Sequence, residues 1–253
     1  MRILLFFILS IYNCFSQKNN SEVQAEYQLF CDTYSATKLY TSLYANNNVS
    51  IYQEKFSTAE DWNEHKKKLP EGTKQLESTF EYDPYLKTDP LKKEILFYNM
   101  IGNNNFLVKD KYFDFDWKIL SETKEISGYS CIKATTQFRG REWVAWFAPL
   151  IPLSYGPWKL HGLPGLILEA YDTNNKYTFR SVKVEYKKND VLRKDFTTLM
   201  ETKNKKPITY QQFLRDTEEL NDNLINDVRD PNITVTKIPY PREGEELKFE
   251  WEE

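Results

Sequence analysis

Residues 142–148 carry large apolar side chains on both sides of an extended chain. With a repeat of two, Trp143, Ala145 and Phe147 project one way and Val144, Trp146 and Ala148 the other. A strand apolar on both faces belongs inside a sheet that is covered on each side. Pro149 and Pro152 end it, and a stretch dense in glycine and proline follows. Four of the eight glycines (Gly140, Gly156, Gly162 and Gly165) fall between 140 and 165, together with Pro152, Pro157, Pro164 and His161, one of two histidines. Glycine gathered at one place in a chain otherwise poor in it marks a special backbone geometry.

Strand character extends in both directions from this region. Val23, Ala25, Tyr27, Leu29 and Cys31 alternate with polar residues, Leu39, Thr41 and Leu43 repeat the pattern, and Asn46-Asn47-Asn48 turns into a strand from Val49 to Gln53. Ser57 and Glu60 form a capping-box pattern that predicts a short helix over 57–68. Pro70, Gly72, Pro84 and Pro90 make 70–92 a loop-rich excursion. Strands are expected at 94–100, 106–109, 117–120, 129–138, 142–148, 166–171 and 176–187. The last changes parity between Phe179 and Val182, which predicts a β-bulge near Arg180-Ser181. Thr209 and Gln212 open a helix, Ile208 and Phe213 staple it, and Phe213, Leu220, Leu224 and Val228 line one face. The tail from 232 either adds an edge strand or trails. The fold expected is α+β and mainly antiparallel: a curved sheet, open or closed into a partial barrel, with a C-terminal amphipathic helix packed on it.

The first 16 residues read as a signal peptide: Arg2, an apolar run of about ten residues, then Ser16 before Gln17. That run is shorter than the roughly 20 residues a membrane helix needs. The alternative, a lipoprotein acylated at Cys14, has bulky Ile11-Tyr12-Asn13 where small residues are usual. Residues 17–253 are then one exported domain, with no transmembrane span in the mature chain, placed in the periplasm or at the cell surface. The formal charge of −3 and interspersed lysines and acids leave no electrostatic footprint for nucleic acid. Seventeen Tyr, 16 Phe and 6 Trp favour half-buried pleated surfaces and permit an apolar groove. With Cys14 removed, Cys31 and Cys131 are either a disulfide or two buried thiols. Two cysteines and two histidines without ligand spacing imply no metal, and no cofactor motif is present.

The densest part resembles the GLPGLI family of exported proteins from Bacteroidetes. The resemblance rests on Gly128-Tyr129, Cys131, Lys133-Ala134, Phe138-Arg139-Gly140-Arg141, Ala145-Trp146-Phe147, Ile151-Pro152, Gly156-Pro157-Trp158-Lys159 and Gly162-Leu163-Pro164-Gly165-Leu166-Ile167. It spans about 60 residues, and the strands before them fit the family's layout. The family has no established activity, so the resemblance implies a compartment and a domain type but no reaction. Leu150 stands where that family more usually carries an acid.

Gly162 and Gly165 around Leu163-Pro164 suit a turn with proline setting φ and glycine taking φ > 0. The loop is then either a packed corner or a rim that carries Tyr155, Trp158 and His161 over a cavity. Arg139 and Arg141 can pair with an anion, and in a tight hairpin they are exposed or salt-bridged. Glu169 can face one of these arginines. Trp146 completes the candidate contact residues. His161 is the one plausible general base, but no Gly-x-Ser-x-Gly elbow or P-loop accompanies it. The function expected is a non-enzymatic binding or assembly module of the cell envelope, taking an apolar small molecule or lipid. The alternatives are an interaction partner of an outer-membrane receptor or transporter, and a hydrolase using His161.

Overall fold

The alternation at the N-terminus becomes β1 (Ser21–Asp32) and β2 (Ala36–Ala45), and the Asn46 turn leads into β3 (Ser50–Lys55). Asn46 Oδ1 accepts the backbone N–H of Asn48 at 2.9 Å and of Val49 at 3.0 Å, an Asx turn that fixes the register. A computed structural model describes residues 21–33, 36–55, 85–101, 104–188, 206–227, 242 and 244–252. The expected leader at 1–16, the helix at 57–68 and the first part of the 70–92 excursion lie outside the described residues. The rest of that excursion is not loop: β4 (Tyr85–Asp89) fills it, bracketed by Pro84 and Pro90. Tyr85, Leu86, Thr88 and Asp89 are all buried there, so the short segment carries side chains into both faces.

The chain continues through β5 (Glu94–Ile101), β6 (Asn104–Lys111), β7 (Lys118–Ile126), β8 (Tyr129–Phe138), β9 (Arg141–Ala148), β10 (Leu166–Asp172), β11 (Tyr177–Lys188), the short β12 (Ile208–Thr209) and α1 (Tyr210–Asp227). The described strands form one open sheet in the order β12-β6-β5-β4-β3-β2-β1-β11-β10-β9-β8-β7. Every pairing is antiparallel except β12 with β6. Two reversals are tight turns with both central residues at positive φ, Ser127-Gly128 (51° and 80°) and Arg139-Gly140 (44° and 84°). Turns of this hand match the twist of the strands they join. The predicted bulge is present: Glu26 faces Lys183 and Tyr27 faces Ser181, so Val182 is the extra residue. A second bulge at Leu168 interrupts the β9–β10 ladder, and the freed Ile167 carbonyl accepts the Tyr27 hydroxyl at 2.7 Å.

The inner face is a row of directly paired residues, Ala25, Leu43, Tyr52, Leu86, Phe97 and Val108, ending on Ile208. On the other half Trp143, Ala145 and Phe147 line the same face, and the 149–165 loop folds over them with Ile151, Leu160 and Leu163 each no more than 1% exposed. Helix α1 covers β5 and β6 through Tyr210 and Phe213, whose rings meet Phe97 at 5.1 and 6.2 Å. Thr209 Oγ1 caps α1 by accepting the Gln212 N–H at 3.1 Å. Gln212's own side chain bonds Asp216 and Arg215 instead of completing the box. Among the described residues no helix is long and apolar enough to cross a membrane.

Three expectations are corrected here. Cys31 and Cys131 are free thiols, not a disulfide, because β11, β10 and β9 separate their strands in the sheet. Of the tail, 232–241 lie outside the described residues, and the described part, 244–252, neither trails nor adds a strand. Residues 246–249 dock on the β8–β9 turn, with the Leu247 and Lys248 N–H groups both donating to the Arg139 carbonyl at 2.8 and 3.1 Å. Of the two motif glycines, Gly162 takes the positive φ (94°), while Gly165 serves close approach. A Cβ on Gly165 would lie 2.4 Å from the Ala148 carbonyl oxygen.

Gly165→Ala is therefore expected to destabilise by about 1–3 kcal/mol through overpacking against backbone that cannot yield. Gly128→Ala meets nothing within 4 Å and should cost only the left-handed backbone penalty, about 1 kcal/mol. Urea unfolding of the two variants decides, and a reversed order would mean the corner is not packed this closely.

Candidate functional site

Asp110 shares the inner-face parity of Val108 on β6, so its carboxylate enters the interior and is 3% exposed. Arg139, in the β8–β9 turn, reaches it with a bidentate pair at 2.8 and 2.9 Å. Lys159 follows Trp158, whose φ of 54° turns the loop inward. Its ammonium donates to Asp110 at 2.7 Å and to both oxygens of Glu246 at 2.9 Å. Glu246, brought by the docked tail, also accepts from Arg139 and takes the Tyr210 hydroxyl at 2.7 Å. Two carboxylates and two cations, each at most 7% exposed, thus close a neutral cluster. Glu250 reaches Arg139 from the rim at 3.1 and 3.2 Å. The guanidinium lies over Phe113 at 4.5 Å and Phe249 at 4.8 Å, an aromatic cage that excludes water from it. Burial alone would raise the Asp110 carboxyl, but Lys159 and Arg139 together hold it below its ordinary value.

A cleft of about 250 Å³ opens beside this cluster. Tyr52 and Glu54 of β3, Leu86 of β4, and Phe97 and Asn99 of β5 form its sheet wall; Trp158, Lys159, Tyr210, Glu245 and Glu246 close it, and Tyr85 and Tyr98 complete the lining. Tyr52 is 3% exposed and its hydroxyl makes no hydrogen bond of ordinary geometry; nor does the neighbouring Thr41 hydroxyl. Burial, and then the charge of Glu245, push Glu54 up to about 7. Glu245 is itself raised, first by burial and then by Glu246, against its own backbone N–H, Lys159 and Arg141. Among the described residues no group of three or more His, Cys, Asp or Glu could hold a metal ion.

The residues singled out from the sequence do not converge on one place. Arg139 sits at the centre of the cluster, buried rather than exposed. Arg141 forms a separate buried pair with Asp172 at 2.9 Å and also holds the Gly244 carbonyl at 2.8 Å. Glu169 faces neither arginine. It is on the outer face of the sheet beside Trp146, paired with Lys124 and, at 3.6 Å, with Arg180, while the Lys124 ammonium lies 4.3 Å from the Trp146 ring centroid. Tyr155 and His161 bridge each other inside the loop. His161 is 2% exposed, its Nδ1 2.7 Å from the Lys159 carbonyl and its Nε2 2.8 Å from that of Phe113. Burial lowers its pKa, and with both nitrogens facing carbonyl oxygens it presents no lone pair to a substrate. Only Trp158 of the rim candidates lines the cleft.

Asp110, Lys159, Tyr210 and Glu246, and the cleft residues Tyr52, Glu54 and Glu245, were not selected from the sequence. Strand parity carries a signal for two of them, since Asp110 follows Val108 and Glu54 follows Tyr52 at a spacing of two. Nothing local marks Glu246, which the tail brings in from more than 80 positions away.

Fold and site together define an open antiparallel sheet that wraps a buried ion cluster and keeps a ligand-sized cleft against its inner face. The family model described as N-glycanase peptide, N-terminal domain matches residues 33–212, and the chain belongs to that family. Its fold is similar to that of PNGF-II in a C2 crystal form, with a TM-score of 0.55 at 16% identity, covering 79% of this chain and 33% of that one. PNGF-II in a P21 form gives a TM-score of 0.53, again at 16% identity, with 79% and 34% covered. The chain thus spans about a third of the length of these structures. No curated protein matches it.

Asp110→Asn leaves two buried cations facing one buried carboxylate, and a loss of about 3–5 kcal/mol at pH 7 is expected. Because the native Asp110 carboxyl is depressed, its contribution is present at neutral pH and disappears as the pH falls below about 4. The gap between the wild type and this variant should therefore narrow in acid, and a constant gap would contradict the assignment.

Glu54 has the opposite sign. The folded protein keeps a proton up to about 7 that the unfolded chain releases near 4.5. The stabilisation is full below the lower value and is lost as the pH rises through the upper one. Between pH 5 and 8 the wild type should lose on the order of 1–3 kcal/mol relative to Glu54→Gln. Parallel pH profiles of melting temperature would refute this.

Proposed function

We propose that this chain is an exported binding module of the cell envelope, and that its ligand occupies the cleft between β3–β5 and the docked tail. The observation that carries the reading is the cleft itself: about 250 Å³ between aromatic and acidic residues. Ligand sites are typically concave and largely apolar, with a few polar groups converging on them. Export is supported by the leader-like residues 1–16 and by the resemblance to GLPGLI proteins. Family membership ties the domain to the N-terminal part of an N-glycanase. In the present reading, the domain holds a ligand rather than cleaving it, because His161 is committed to two carbonyls.

The lining favours a small molecule or the head of a larger one over a lipid chain, since Glu54, Glu245, Glu246 and Lys159 all face the cleft. An interaction partner of a receptor would need an exposed contact surface, for which the Gly-Leu-Pro-Gly loop is the natural candidate. That loop is mostly interior; among its large apolar residues Leu150 stands out at 74% exposed, while Leu160 and Leu163 are at 1%.

Native mass spectrometry of protein recovered from the envelope is expected to find a non-covalent small-molecule adduct. Asn99, exposed at the cleft, gives a blocking variant in Asn99→Trp that should lose the adduct without loss of fold. An adduct retained in that variant, or a stoichiometric protein partner with an empty cleft, would reject the reading.

A further inference from the structure

Inside the cleft, Glu54 and Glu245 stand apart from the charge bookkeeping of the cluster. Asp110 and Glu246 are matched by Arg139 and Lys159. Among the described residues neither Glu54 nor Glu245 has an ion-pair partner, although both line the cleft and the charge of Glu245 helps to raise the Glu54 carboxyl. Tyr52, two residues before Glu54 on the same face of β3, adds a hydroxyl that is buried and without an ordinary hydrogen bond. Once ionised, two cleft acids without a counter-charge, beside a buried hydroxyl that lacks a hydrogen bond of ordinary geometry, are costly unless something binds them.

We propose that the cleft binds an organic cation, an ammonium on an apolar or aromatic stem, with Glu54 and Glu245 as its counter-charges and the Tyr52 hydroxyl as a further acceptor. This rests on the reading that the cleft holds a ligand. The protein already treats one ammonium in this way. Lys159 Nζ lies 4.2 Å from the Tyr210 ring centroid and 5.2 Å from that of Phe97, while Glu246 and Asp110 accept its protons. Carboxylates beside aromatic rings form a site that pays the desolvation cost of a cation through charge and ring quadrupole together. An anion would meet two carboxylates, and the nearest cation, Lys159, already serves Asp110 and Glu246. A metal ion would want more oxygen donors than two carboxylates and a phenol supply. A neutral polyol would leave both acids without a counter-charge.

Three probes separate the outcomes: phenethylamine, its neutral counterpart 2-phenylethanol, and N-acetylglucosamine, each titrated at pH 8 by calorimetry and by amide chemical shifts. Phenethylamine is expected to bind at least tenfold more tightly than 2-phenylethanol, with shifts centred on β3 and on residues 244–246. The double variant Glu54→Gln with Glu245→Gln should abolish that preference, so that the amine and the alcohol bind alike. Glu54→Gln alone should reduce the preference, and it carries the test if the double variant does not fold. Equal binding of the amine and the alcohol, or selective binding of N-acetylglucosamine, would overturn the cation inference while the cleft remains a ligand site. No binding of any probe, together with an adduct unaffected by Asn99→Trp, would overturn both.

Discussion

The structure depends on one buried electrostatic closure. Asp110, Arg139, Lys159 and Glu246 come from β6, the β8–β9 turn, the glycine-rich loop and the tail, four parts of the chain with no shared ladder. Each charge is removed from water, which is expensive, and each is repaid only if all four are present with good geometry. The cluster is therefore a poor source of net stability but a strict condition on arrangement. It turns a loop, a hairpin and a tail into the lid of a half-open sheet. Arg139 shows the constraint in its backbone as well: a non-glycine residue at φ 44° is held where its carbonyl can receive the tail's two amides.

The glycine- and proline-rich loop acquires a definite role from this. It is a packed corner, since Gly156 and Gly165 leave no room for a Cβ against Ile167 and Ala148. Between the glycines, the corner presents Trp158 to the cleft and Lys159 to both the cleft and the cluster.

Much of the sheet was legible in the sequence, because period-two alternation is enforced residue by residue by one covered face. The first hairpin, the bulge at Val182, the doubly buried β9 and the cap at Thr209 all follow from local pattern. β4 is not legible in the sequence, because five residues between two prolines look like loop until the neighbouring strands pair with them. The site was less legible for a physical reason: its members meet through side chains that are distant in sequence. A buried Lys or Glu carries the same letter as a solvated one. Arg139 stood out because it flanks a glycine turn, whereas Glu246 sits in a tail whose composition suggests exposure. Trp146 and Glu169 have the chemistry of contact residues, but parity sends them to the outer face, where Lys124 and Arg180 pair with Glu169 and the Lys124 ammonium lies over the Trp146 ring.

If the ion cluster organises the lid, its members must be energetically coupled and not merely adjacent. A double-mutant cycle of Lys159→Met and Glu246→Gln, measured by urea unfolding at pH 7, addresses this directly. A coupling of about 2 kcal/mol is expected, because each single change strands the other charge while the double change removes both. Effects that add within about 0.5 kcal/mol would contradict it, and would mean that loop and tail dock independently of one another.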